Sequence, residues 1–217
     1  MSHKVHPYAH RLGILRDWQS RWFGNNRRQF TTFLETDVLL REYLEKRLRG
    51  NYVAAIEIER RGSSFRIIIR TGRPGMIIGR SGEGSTKLKN DLRTFFRQRH
   101  LEVPADFKLD IEEVKRPETN ARIVAEQVAE GLEKRLPFKK ILRQMADKVM
   151  SNREVEGVRL TISGRLDGGE MGRIETVRRG RLPLQTLRAD VDFARVVAQL
   201  PYGVIGVKVW IARVEVA

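Results

Sequence analysis

The stretch that decides the fold is Arg70-Thr71-Gly72-Arg73-Pro74-Gly75-Met76-Ile77-Ile78-Gly79-Arg80-Ser81-Gly82-Glu83. At its centre stands Gly79-Arg80-Ser81-Gly82, a G-x-x-G tetrapeptide preceded by two β-branched residues, Ile77 and Ile78. Glycine at both ends lets the backbone turn tightly and approach another backbone, since no Cβ intervenes. Arg80 and Ser81 bring a cation and a hydroxyl to the tip. The pattern predicts a helix from Glu83 to Arg97, whose unpaired first amides point toward the loop. Glycines, amides and a cation converging on one tip suit a sugar-phosphate backbone.

Two other phosphate-binding loops fail on spacing. G-x-x-x-x-G-K-[ST] would require glycine where Pro74 stands and lysine where Arg80 stands. Started at Gly79, the same motif meets Ser85 at its lysine position. G-x-G-x-x-G fails because Gly82-Glu83-Gly84 is followed by Lys87 at the third glycine position. What survives is the GXXG loop of a KH domain, which clamps about four nucleotides of single-stranded RNA.

The flanking sequence supports that reading. Val38, Leu39, Tyr43, Leu44 and Leu48 recur at helical spacing, with Thr36 and Asp37 as N-caps and Gly50 as the stop. Val53 to Arg60 and Phe65 to Thr71 read as a hairpin around Gly62-Ser63. Pro74 opens a helical turn, and the next helix buries Leu88, Leu92, Phe95 and Phe96 while exposing Lys87, Lys89, Arg93, Arg97 and Arg99. After Pro104, Phe107, Leu109 and Ile111 alternate as a third strand. The order α-β-β-α-α-β is the type-two KH arrangement.

A second unit begins near Pro117, expected at a helix start. Ile123, Val124, Val128, Leu132 and Leu136 form one stripe, Pro137 interrupts it, and Ile141, Leu142, Met145, Val149 and Met150 resume it. Lys139, Lys140 and Arg143 lie on the opposite face of the second segment. Cations in a first helical turn oppose the helix dipole, which suggests an external anion. Strands are expected at Val158 to Ile162, Ile174 to Arg178, Leu187 to Phe193 and Val204 to Val214. The whole is α+β: residues 1–35 a basic aromatic arm, residues 36–115 the KH domain, and residues 116–217 a C-terminal domain with a mixed sheet backed by helices.

Composition narrows the partner. The 217 residues carry a net charge of +15 and no cysteine, which excludes disulfides and thiolate metal sites and is compatible with a reducing compartment. Residues 1–100 hold +12 of that charge and residues 101–217 only +3. The excess sits with the GXXG loop, as expected where a polyanion is met. No apolar run is long enough to cross a bilayer, and no basic amphipathic helix favours a membrane surface. In the arm, Trp18, Trp22, Phe23, Phe30 and Phe33 alternate with Arg16, Arg21, Arg27 and Arg28, either to stack on RNA or to pin the arm to the domain. His3, His6 and His10 lack carboxylate or cysteine partners, so no metal site is expected there. No cofactor or small-molecule substrate is expected.

Several segments in one order resemble the family of the third protein of the bacterial small ribosomal subunit, a universal KH-containing family. They are Lys4-Val5-His6-Pro7, Arg11-Leu12-Gly13, Arg73 to Glu83, Ser163-Gly164-Arg165-Leu166, Gly180-Arg181-Leu182-Pro183-Leu184, Thr186-Leu187-Arg188-Ala189-Asp190 and Tyr202 to Ile211. The resemblance covers nearly the whole chain. It implies a structural, non-enzymatic constituent of the small-subunit head in the cytoplasmic ribosome, bound to rRNA and lining the messenger entry path. Its neighbours would be proteins ten and fourteen of that subunit. It further implies rRNA contacts from Lys4, His6 and Arg11 in the arm and from Arg165, Arg178, Arg181 and Arg188 in the C-terminal domain. RNA at the KH loop would meet Gly79, Arg80, Ser81 and Gly82, and messenger RNA would meet Lys139, Lys140 and Arg143. The alternatives are a free KH regulator of single-stranded messages and an RNA-processing enzyme. The enzyme would need magnesium on acids such as Asp110, Glu112 and Glu113 or Asp190 and Asp192, where a charged strand edge is the plainer reading.

Overall fold

A computed structural model describes residues 5–62, 64–101 and 106–214, so Lys4 and His3 lie outside the described residues. The chain forms two compact units, and the expected arm is divided between them. Residues 5–17, with the one-turn helix α1 (Pro7–His10), belong with residues 116–214, while residues 18–35 belong with the first unit.

The first unit contains β1 (Ser20–Arg21), α2 (Arg27–Arg47), β2 (Val53–Arg61), β3 (Ser64–Thr71), α3 (Pro74–Ile78), a 3-10 turn at Arg80–Gly82, α4 (Glu83–Gln98) and β4 (Asp106–Glu113). From α2 onward this is the expected α-β-β-α-α-β order. The sheet runs β1-β2-β3-β4, with β2 and β3 antiparallel and the outer pairings parallel. Leu40, Leu44 and Leu48 of α2 meet Ile56, Ile58, Phe65, Ile67 and Ile69 of the hairpin, and Leu88, Leu92 and Phe96 of α4 complete the core.

α2 starts nine residues before the expected cap. Thr36 donates its hydroxyl to the Thr32 carbonyl at 2.7 Å, inside the helix. Asp37 is buried and accepts from Ser20 Oγ at 2.5 Å, Trp22 Nε1 at 3.2 Å and Arg41 Nε at 3.2 Å. Both residues resemble caps because they are short and polar, yet each finds its partner within or beneath the helix. Val38 is correspondingly exposed, and Leu40 takes the inward position.

The second unit adds a 3-10 turn at Pro117–Thr119, α5 (Ala121–Glu133), α6 (Phe138–Met150), β5 (Val155–Gly164), β6 (Arg173–Gly180), β7 (Val191–Leu200) and β8 (Gly203–Arg213). α5 begins after Asn120 rather than at Pro117, because the Asn120 side chain accepts from the amides of Arg122 and Ile123 at 3.0 and 3.3 Å. Leu136 falls outside α5 and is exposed, since Arg135 at φ 59° has already ended the helix. The expected strand from Leu187 is displaced to Val191–Leu200, leaving Leu187 exposed in a loop.

This sheet is antiparallel at every pairing, in the order β6-β5-β8-β7, where a mixed sheet was expected. The short connections from β5 to β6 and from β7 to β8 are too brief for the crossover that a parallel pair needs. The parallel pairings lie in the first unit instead. α5 and α6 bury Val124, Val128, Ile141, Leu142 and Val149 on one face of the sheet, against Val158, Leu160, Ile162, Val207, Val209 and Ile211.

Candidate RNA interface

The GXXG loop is a sharp reversal between α3 and α4. Gly79 sits at φ 70°, ψ −174° and Gly82 at φ 81°, ψ 5°, while Ser81 between them adopts φ 53°. The Gly82 carbonyl accepts the Ser85 and Thr86 hydroxyls at 2.8 and 3.2 Å. Gly84 allows the tight packing behind the tip, because a Cβ there would stand 2.5 Å from the Ile77 carbonyl and 2.9 Å from that of Ile78. The sequence signal for Gly84 was present in Gly82-Glu83-Gly84, but only a close approach between helices gives it meaning. Arg80 and Ser81 are exposed, and Arg80 makes no ion pair among the described residues. The tip thus offers a cation and a hydroxyl beside the first amides of α4.

The second basic element is the start of α6. Phe138 is buried and anchors the first turn. Lys139, Lys140 and Arg143 all point to solvent, with the Lys139 ammonium 5.9 Å from the Phe138 ring. Among the described residues none of the three pairs with a carboxylate, and the first turn of α6 contains no acid. Two uncompensated lysines therefore stand in the first turn, where the helix dipole disfavours them, and Arg143 lies one turn on along the same face.

The remaining predicted contacts separate into surface and interior. Arg178 and Arg188 are exposed. Arg181 is exposed with Glu156 at 3.7 Å. Arg165 is exposed too, but its guanidinium donates to the carbonyls of Gly169 at 2.9 Å and Tyr202 at 3.4 Å. His6 caps α1 by accepting the Ala9 amide at 3.4 Å and lies edge-on to Phe193.

Arg11 is a correction. It is fully buried, and its guanidinium donates to the carbonyls of Ala189 (2.6 Å), Thr186 (2.8 Å), Pro7 (3.1 Å), Leu184 (3.2 Å) and Pro183 (3.4 Å). Burial lowers its pKa from the ordinary arginine range, while Asp190 works in the opposite direction. It holds a loop together and presents nothing to RNA.

The aromatic residues of the arm are likewise divided. Trp22 packs against Phe30 and Phe33 with centroids 5.4 and 5.7 Å apart, pinning the chain to the first core. Trp18 and Phe23 are exposed. Among the described residues four of the five candidate magnesium acids are engaged by arginines, all but Glu113: Asp110 by Arg66 at 2.5 Å, Glu112 by Arg70 at 3.2 Å, Asp190 by Arg16 at 2.5 Å and Asp192 by Arg213 at 3.4 Å. Among the described residues no helix is long and apolar enough to cross a membrane.

Comparison with known proteins follows the same division. Residues 39–119 match the KH domain, and residues 128–211 match the ribosomal protein S3 C-terminal domain. The small ribosomal subunit protein uS3 of Desulfovibrio desulfuricans is 43% identical over 219 residues, covering 100% of this chain and 97% of the relative. The uS3 proteins of Koribacter versatilis and Clostridium novyi are 44% and 40% identical, each covering 100% of this chain and 92% and 94% of the relative. The chain belongs to the uS3 family. The uS3 family is a structural part of the ribosome and not a family of enzymes. Its two domain signatures fall on the two sheets described above, one in each compact unit.

Proposed function

We propose that this protein is an RNA-binding constituent of the small ribosomal subunit in the cytoplasm, seated in the subunit head. It holds small-subunit rRNA and forms part of the messenger path. The observation that carries the reading is the pairing of an uncompensated cationic KH tip with an uncompensated cationic helix start on a chain similar to uS3 over its full length. At the tip, Arg80, Ser81 and the amides behind them meet sugar-phosphate. At α6, Lys139, Lys140 and Arg143 meet passing messenger phosphates and help to separate its paired regions. Exposed Arg178, Arg181 and Arg188 supply rRNA contacts, and small-subunit proteins ten and fourteen are the proposed neighbours.

Sedimentation with small subunits tests the reading. A constituent remains with the subunit through a wash in moderate salt, held by many contacts at once. A free KH regulator of single-stranded messages is stripped off, because its few phosphate contacts are screened. Recovery of the protein only in the unbound fraction at physiological salt would overturn the ribosomal assignment.

A further inference from the structure

The open faces of the two sheets differ in charge balance. On the first, Arg21 donates to Glu57 at 2.7 Å and to Glu59 at 2.5 Å, Arg66 to Asp110, and Arg70 to Glu112. Burial works against the Arg21 charge, but its bonds to Glu59 and Glu57 outweigh that and raise its pKa. These arginines are matched by carboxylates, and that face is self-neutralised.

The sheet of the second unit is built otherwise. Its inner face lies on α5 and α6. One end of the outer face is occupied by Leu182 and Ala189, which pack on Val191 and Ala212. Beyond that end, register places Arg178 of β6 directly opposite Arg159 of β5, and Lys208 of β8 directly opposite Arg195 of β7. Like charges facing each other across strands are destabilising. Among the described residues none of the four is ion-paired or hydrogen-bonded to a carboxylate, and Arg159 Nε is buried without a hydrogen-bond partner. Two repulsive pairs on neighbouring registers, with an unsatisfied donor among them, call for an anion from outside.

We propose that this outer face, centred on Arg159, Arg178, Arg195 and Lys208, is a docking surface for the sugar-phosphate backbone of RNA. The inference rests on the reading of the protein as an RNA-binding constituent, and adds a surface distinct from the KH tip and from α6. Trp210 is already packed against Phe193, at 5.0 Å, and against the Arg159 guanidinium, at 5.1 Å. Bases therefore gain no free aromatic platform there, and the contact is to phosphates, with little dependence on base sequence. The next row carries exposed Ile174 and Val197, which a protein would also cover. The cations without acids decide for RNA.

The test uses the full chain and a transcript of the full small-subunit rRNA. Arg159 is left in place because it packs on Trp210, and Arg178→Ala, Arg195→Ala and Lys208→Ala are combined. The triple variant is expected to keep its circular dichroism and to bind at least tenfold more weakly at about 0.1 M salt. Its log–log salt slope is expected to be shallower by about two to three, at roughly 0.7–0.9 per lost contact. In the wild-type protein, bound rRNA is expected to slow acetylation of Lys208 by an N-hydroxysuccinimide ester. Lys134, paired with Glu130 at 2.5 Å, should be unaffected. An unchanged slope in the triple variant together with unprotected Lys208 would overturn the proposal while leaving the KH reading intact. Unchanged rRNA affinity combined with failure to enter subunits would also overturn it, assigning the face to a ribosomal protein. A wild-type chain without salt-dependent rRNA binding would sink the broader reading as well.

Discussion

Arg11 and Ala189 stand 178 positions apart in sequence, yet the Nε–H of one donates to the carbonyl of the other across 2.6 Å. Four further carbonyls share the same guanidinium, three of them from Pro183, Leu184 and Thr186. One buried cation thereby satisfies a loop that has no sheet partner of its own. Planar, five-donor geometry is what makes arginine able to do so and lysine not.

Replacing Arg11 leaves several buried carbonyls without donors. Hydrogen bonds to a charged group contribute about 1.5–3 kcal/mol each, with incomplete additivity, so Arg11→Ala should cost on the order of 3 kcal/mol or more. Thermal unfolding followed by far-UV circular dichroism should show an earlier transition, and Arg11→Lys should recover only part of the loss. An unaltered melt would mean that the loop is held by other contacts.

Gly84→Ala sets two effects against each other. Alanine favours a helix by about 1 kcal/mol over glycine. The new Cβ would meet the Ile77 carbonyl at 2.5 Å, and overpacking typically costs about 1–3 kcal/mol. The clash is with backbone and cannot be relieved by a rotamer change, so net destabilisation is expected. Denaturant titration of the full chain measures it, and a stabilised variant would show that α3 moves freely.

At the loop tip, Arg80→Asp combined with Ser81→Asp should leave the fold intact, since both side chains are exposed. Affinity for a single-stranded oligoribonucleotide, measured by fluorescence anisotropy, should fall tenfold or more. Equal affinity for both proteins would remove this loop from the RNA contacts.

Alanine at Lys139, Lys140 and Arg143 together should permit normal assembly, because Phe138, Ile141 and Leu142 carry the packing of that turn. Single changes should have small effects, each cation supplying a modest, screened attraction. Subunits carrying the triple variant should translate messages with a downstream hairpin more slowly than unstructured ones. Equal elongation through hairpins by both kinds of subunit would reduce these residues to a solvated face.

His6 makes the docking of α1 sensitive to acid. Burial lowers its pKa below the ordinary 6.5, and its Nδ1 serves as an acceptor for Ala9. The unfolded segment therefore takes up a proton at higher pH than the folded one. Its contribution is fully present above pH 6.5 and is lost as pH falls through the lowered folded value. Amide exchange at Ala9, corrected for intrinsic rate, should be faster at about pH 5 than at neutrality. His6→Asn, which keeps an acceptor without titrating, should abolish the difference.

The elements that could be read in the sequence were those with strong local signals. The hairpin of β2 and β3, the stripe of Leu88, Leu92 and Phe96, and the turn at Pro74 all appear where their spacing predicts. So does the alternation of Val207, Val209 and Ile211. Failures came where a partner distant in sequence decides the outcome. Asp37 is claimed by Ser20, Trp22 and Arg41, so α2 runs through the apparent cap. Leu187 lies in the loop that Arg11 organises, so the strand begins later. The cationic tip and the α6 face were legible because exposure and charge are local properties. The burial of Arg11 was not, because nothing in its neighbours reveals a cluster of carbonyls so far along the chain.

The placement of residues 5–17 with residues 116–214 also has a consequence in time. At about 5–20 residues per second, the 178 positions between Arg11 and Ala189 take on the order of ten seconds or more to synthesise. Throughout that interval the KH unit can complete its own core, while the earliest residues have no carbonyl cluster to enter. In a nascent chain Arg11 is therefore synthesised long before the carbonyls that bury it. Release of the loop from Pro183 to Ala189 sets the moment at which that guanidinium stops being available to other polyanions and chaperones.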